Sequence, residues 1–199
     1  MKIGVLGGTF DPIHRGHLAI AESARAKLSL AEVYFVPAAR TPMKEDGSIL
    51  AAEHRVRMVR LAIADYPYFK LSMIEIDRPG PSYTVDTIAE LRDNLGVENE
   101  LFFIIGWDSL IQFPRWRQPE RIIQICHLVA VPRPGYSLPD VGPLEAAIPG
   151  LSQRLIILDE PKIDISATEI RQRAKSGESI SHLVPEAVEG YIKENKLYL

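Results

Sequence analysis

The sequence predicts an α/β fold: a doubly wound, mostly parallel sheet with helices on both faces and a small helical C-terminal part. Apolar runs of strand length, at residues 2–6, 32–37 and 100–106, alternate with longer segments of helical periodicity. The first run opens straight into Gly7-Gly8-Thr9-Phe10-Asp11-Pro12-Ile13-His14-Arg15-Gly16-His17, and residues 18–28 then carry helical character. Strand, glycine-rich turn and helix in that order begin a nucleotide-binding α/β unit. A length of 199 residues suits one domain with a large core, residues 1–160 forming that core and 161–199 the helical appendage.

Charge and composition narrow the partners. The formal net charge is -3 and the pI about 6.0, so no basic field argues for nucleic acid, and any anion must be held by local sites. Cys126 is the only cysteine. It lies in an apolar run, reads as a buried strand residue, and leaves no intramolecular disulfide, which fits a reducing compartment. A strand entered at residue 2 predicts no signal peptide, and no apolar run is long enough for a membrane span. The expectation is a cytoplasmic protein. A homo-oligomer is compatible with the sequence, which does not specify one.

Within the first turn, Gly7 and Gly8 let a phosphate approach the main chain, and N–H groups there and at the following helix start would face it. His14 and His17 are three residues apart, a spacing that can put both rings on one side of a helix start. With no carboxylate one turn away, they read as phosphate ligands and not as zinc ligands.

The next segments follow in order. Residues 32–37 are a second buried strand closed by Pro37, and 38–50 a polar loop containing Lys44, either solvated or set against a phosphate. Residues 51–65 are helical, with Arg55, Arg57 and Arg60 read mostly as the wet face. Residues 69–72 and 73–76 read as short extended pieces. Ser82 or Thr84 can cap a helix over 85–95, which Gly96 ends, and the sequence leaves capping and ligand contact both open for this run.

Residues 100–106 are the strongest central strand after the first. Gly106 there permits close approach of a base or ribose, while Asp108 reads either as a helix cap or as a partner for hydroxyls or hydrated Mg²⁺. Trp116, within an aromatic and basic patch, offers a flat face to a heterocycle or packs structurally. A helix near 119–124, a strand over 125–131, an irregular stretch over 136–150 with a short helix at 144–148, and a last strand over 154–158 complete the core. Ser166, three residues before Glu169, opens a further helix as a capping box, and Arg171 adds a cation to that helix start. The last helix spans 185–194.

Taken together, these motifs resemble the bacterial nicotinate-nucleotide adenylyltransferases of the HxGH nucleotidyltransferase superfamily. The resemblance covers essentially the whole length. It rests on GGTFDPIHRGH, the Pro42-Met43-Lys44 loop, Arg55-Val56-Arg57-Met58, Ser82-Tyr83-Thr84-Val85-Asp86-Thr87, Ile105-Gly106-Trp107-Asp108-Ser109-Leu110, Trp116, Arg133-Pro134-Gly135 and Ile165-Ser166-Ala167-Thr168-Glu169-Ile170-Arg171. It implies a Rossmann-like fold and an ATP site made of Gly7, Gly8, Thr9, Phe10, Gly106, Asp108, Ile165, Ser166 and Thr168. His14, His17 and Arg171 would be the catalytic groups, with the C-terminal part completing the ATP site. It assigns Lys44, Ser82, Tyr83, Thr84, Trp116 and Arg133 to the acceptor nucleotide. Three positions depart from the family pattern: Met43 replaces a common histidine, Trp107 a small residue and Ala167 a second serine.

The implied reaction is in-line attack by the phosphate of nicotinate mononucleotide on the α-phosphorus of ATP, giving deamido-NAD and pyrophosphate. Mg²⁺ would be carried by the nucleotide phosphates, with no metal site of the protein's own. The acceptor is already an anion, so no general base is required; positioning and charge stabilisation carry the rate. Nicotinamide mononucleotide or phosphopantetheine as acceptor, or ATP binding without turnover, are the alternatives.

Overall fold

The computed structural model describes residues 1–39 and 49–199, which places Lys44 and its neighbours outside the described residues. Among these, six strands form one sheet in the order β3-β2-β1-β4-β5-β6, and every neighbouring pair runs parallel. The strands are β1 (Lys2–Gly8), β2 (Glu32–Pro37), β3 (Phe69–Leu71), β4 (Glu100–Gly106), β5 (His127–Val131) and β6 (Leu155–Ile157). Successive strands leave β1 first toward one edge and then, after β3, toward the other. The order therefore reverses between β1 and β4, the position at which parallel α/β sheets open a crevice beyond their carboxyl ends. Both strands end there in glycine, at Gly8 and Gly106.

Alternation along each strand divides the core in two. Leu6, Val33, Phe35, Phe102, Ile104, Val129 and Val131 face one cluster, which also takes in residues of α1 (Arg15–Leu28), α2 (Ala52–Ala62), α8 (Ala167–Lys175) and α9 (Glu186–Glu194). Ile3, Val5, Leu101, Phe103, Ile105, Leu128 and Ala130 face the other, filled from α3 (Ile74–Asp77), α4 (Thr84–Leu95), α5 (Trp107–Gln112), α6 (Pro119–Ile125) and α7 (Val141–Ala147). Strands covered on both faces explain the continuous apolar runs. The C-terminal helices share the first cluster with α1 and α2, so they pack onto the sheet itself.

Several segments differ from the sequence reading. Residues 73–76, read as extended, instead supply the N-cap Met73 and most of the single-turn α3, in which Ile74 and Glu75 are both buried. Helix α1 begins at Arg15, three residues before the apolar periodicity, since His14 already serves as its N-cap. The run ahead of β5 is helical as far as Ile125. Ile122, Ile123 and Cys126 are buried at helical spacing, so Cys126 closes α6 instead of lying in the strand. Burial pushes the Cys126 thiol up to about 12, which leaves it inert as a nucleophile. Helix α7 starts earlier than expected because the Asp140 side chain accepts the Gly142 N–H at 3.0 Å. No helix among the described residues is long and apolar enough to cross a membrane.

Candidate active site

The histidine pair is built by the start of α1. His14 occupies the N-cap position, and its backbone N–H donates to His17 Nδ1 at 3.2 Å. That bond fixes Nδ1 of His17 as an acceptor, so its ring proton sits on Nε2. The rings stack with centroids 3.8 Å apart, and Phe10 meets the His17 ring edge-on at 5.0 Å. Gly16 makes the arrangement possible, because a Cβ there would lie 3.0 Å from His14 Nδ1. The first turn of α1 holds no acidic residue, which leaves its N-terminal field open to an anion.

Both imidazoles are neutral near pH 7. Burial, with Arg133 adding a smaller effect, pulls His14 down to about 4. Burial, then His14 and Arg133, hold His17 well below the usual histidine range. His14 Nδ1 is buried without a hydrogen-bond partner. A bound polyphosphate would supply the charge and the acceptors that these groups lack.

The carbonyl side of the glycine turn is occupied by arginines. Arg55 Nη1 donates to the Thr9 carbonyl at 2.7 Å and its Nε to the Leu50 carbonyl at 2.9 Å. Arg55 is therefore buried and not part of the wet face, where Arg57 and Arg60 do lie exposed. Arg171, on α8, donates through Nη1 to the Asp11 carbonyl at 2.7 Å and through Nη2 to Thr168 Oγ1 at 3.3 Å. These bonds engage two of its five N–H groups among the described residues. Ser166 caps α8 by accepting the Glu169 N–H at 3.1 Å, and Ile165 packs half-buried against the core beside it.

Across the turn lies a cavity of about 300 Å³ on the side of the second core cluster. Gly7, Gly8 and Thr9 form one wall; Ser82, Tyr83, Thr84 and Trp116 form others, with Val5, Val36, Phe103 and Ile122 beneath. Trp116 stands edge-to-face against Phe103 and Phe113, at 6.2 and 5.4 Å between centroids. Arg117 lies over the Tyr83 ring at 4.6 Å and so pins the Trp116 loop to the start of α4. Neither Ser82 nor Thr84 caps α4. Tyr83 holds that position without a side-chain bond, while Ser82 Oγ accepts the Ala39 N–H at 3.1 Å, joining two loops at the cavity mouth.

Asp108 is not a cap either, since Gly106 takes that role for α5. A side chain at Gly106 would meet the Asp108 carboxylate, which would have to turn aside. Arg133, expected on the acceptor side, lies 4.0 Å from Asp108 and acts electrostatically on both histidines, and it is absent from the cavity wall.

Sequence reasoning missed Glu75 and Thr87, which also line the cavity, and the structural work of Arg55. Thr87 Oγ1 donates to Glu75 at 2.7 Å, and burial raises the Glu75 carboxyl above the usual range despite that bond. A helical reading of residues 73–77 would have set Glu75 on the buried face.

A crevice at the strand-order reversal, with a histidine pair and Arg171 on one side of a glycine turn and an aromatic cavity on the other, is the arrangement expected of a nucleotide-handling α/β protein. The model of the cytidylyltransferase-like family matches residues 5–173. A protein of Dehalococcoides mccartyi strain CBDB1, described as a probable nicotinate-nucleotide adenylyltransferase, is 49% identical over 100% of this chain and 97% of its own. One of Thermus thermophilus with the same description is 47% identical over the full length of both chains. Within the cytidylyltransferase-like class, the chain belongs to the nicotinate-nucleotide adenylyltransferase family. The structure of Plasmodium falciparum nicotinic acid mononucleotide adenylyltransferase complexed with NaAD superposes with a TM-score of 0.76 at 20% identity, covering 99% of this chain and 97% of that one. At that identity the likeness speaks for the fold.

Proposed function

We propose that this protein transfers the adenylyl group of ATP to nicotinate mononucleotide, releasing pyrophosphate and forming deamido-NAD. The observation that carries this reading is the position of the glycine turn, which borders the aromatic cavity on one side and the neutral histidine pair on the other. An acceptor seated with its ring against Trp116 directs its phosphate toward Gly7 and Gly8, where ATP approaches from the histidine side. The acceptor oxygen attacks the α-phosphorus, and the bond to the bridging oxygen of pyrophosphate breaks in line with it. His17 Nε2–H and His14 donate to the polyphosphate oxygens. Arg171 and the N–H groups at the start of α8 hold the leaving group, while Arg133, beside the histidines, suits the ATP side better than the acceptor side. Lys44 remains assigned to the acceptor phosphate on the resemblance alone.

No group of three or more His, Cys, Asp or Glu suited to a metal ion occurs among the described residues. Asp108 beside Arg133 is a suitable partner for water on a nucleotide-borne cation. Mg²⁺ entering with ATP fits that chemistry and would neutralise phosphate charge.

The test is pyrophosphate release from ATP and Mg²⁺, with nicotinate and nicotinamide mononucleotides compared at matched concentrations. A higher kcat/KM for the nicotinate form is expected. Preference for the amide would overturn the acceptor assignment, and ATP binding without turnover with any acceptor would overturn the reaction.

A further inference from the structure

Asp11 lies inside the phosphate-facing turn, is only 5% exposed, and does no chemistry in the mechanism above. Both of its carboxylate oxygens are occupied. Tyr198 donates its phenol to Oδ1 at 2.7 Å, and the Leu50 N–H donates to Oδ2 at 3.3 Å. The main chain of the same residue receives Arg171, at 2.7 Å. Asp11 is therefore a junction: its side chain is fastened by Tyr198, and its carbonyl is the rest against which the Arg171 guanidinium is set. Arg55 completes the bracket one step upstream by holding the Thr9 carbonyl.

We propose that Tyr198 is a positioning residue for the polyphosphate site, acting through Asp11 on both the glycine turn and Arg171. The phenol touches no substrate. It fixes the orientation of the Asp11 peptide, and with it the direction of the N–H groups of the turn and the place of the Arg171 fork. Burial and the neighbouring Asp11 carboxylate hold the phenol protonated far beyond the neutral range, so it stays a donor at every working pH. None of Asp11, Arg55, Arg171 or Tyr198 lines the acceptor cavity, which meets the bracket only through Gly7, Gly8 and Thr9. The larger effect should therefore fall on ATP, whose phosphates Arg171 would hold.

The identity of the ligand rests on the adenylyl-transfer reading, and the test separates the two. Tyr198→Phe removes only the hydroxyl, and Asp11→Asn keeps the size while weakening the acceptor. Each variant is titrated calorimetrically with ATP and Mg²⁺ and assayed for kcat and both KM values. Tyr198→Phe is expected to weaken ATP binding by up to about 10-fold, the loss of one hydrogen bond to a charged group setting the upper bound for an effect that reaches ATP only through Asp11. The KM for the mononucleotide should stay within about two-fold. The double variant should be no worse than the poorer single variant, because both changes break one contact. Unchanged ATP affinity in both variants, or equal shifts in the two KM values, would overturn the proposal. If the wild type binds ATP without transferring it, the reaction assignment falls while the calorimetry still decides the role of Tyr198.

Discussion

At the scale of single residues, His14 shows how burial sets protonation. It is 4% exposed, and its ring is held at about 4 against an ordinary value of 6.5. The unfolded chain therefore binds a proton more readily than the folded one between these values. Stability from the neutral ring is complete above about pH 6.5 and is lost as pH falls toward about 4, a difference on the order of 3 kcal/mol. His17, shifted in the same direction, adds to it. Urea unfolding of the wild type and of His14→Gln at pH 8 and pH 5 measures this. The wild type should lose more stability between the two pH values than the variant, and equal losses would remove His14 as the cause.

At the scale of elements, α8 carries Arg171 to the turn, and its first bond is made by Ser166. Replacing Ser166 with alanine should cost about 1 kcal/mol in denaturant-measured stability, the usual worth of a serine cap. An unchanged midpoint would mean that the helix starts without it. This cap was legible in the sequence, as were β2 and β4 to the residue, because each rests on local spacing alone. The cap of α1 was harder to read, since histidines here take the place of the usual serine and glutamate. Ser82, for which the sequence left capping and ligand contact open, accepts the N–H of Ala39, 43 residues earlier in the chain. Arg55 offers the same lesson. Helical periodicity placed it beside Arg57 and Arg60, and only the carbonyls of Thr9 and Leu50, brought there by the sheet, make a buried arginine tolerable. Contacts made by neighbours in sequence were legible beforehand; those made between distant segments were not, and Arg55 is the example.

At the scale of the whole molecule, the sheet sets the aromatic cavity and the histidine-bearing helix against different core clusters. The cavity belongs to one core cluster, and α1, which carries the histidines, contributes to the other. Changes on the two sides should consequently appear in different kinetic constants. Trp116→Ala removes the aromatic wall and should raise the mononucleotide KM about 10-fold or more, with the KM for ATP nearly unchanged. His17→Ala should lower kcat by about 10²–10³, the effect of losing a donor that meets charge in the transition state. Steady-state kinetics with each substrate varied in turn checks both, and an equal rise in both KM values for Trp116→Ala would contradict the separation.

The bracket around Asp11 also bears on how the protein is made. Leu50 and Arg55 reach the turn from nearer in the chain, whereas Asp11 is made well before Arg171 and Tyr198, its contacts 160 and 187 positions beyond it. Closing loops of that length is entropically costly and slow compared with forming a helix. A nascent chain can thus carry its glycine turn and both histidines for a time held by Leu50 and Arg55 alone, the turn being fully fastened only when the segments bearing Arg171 and Tyr198 dock.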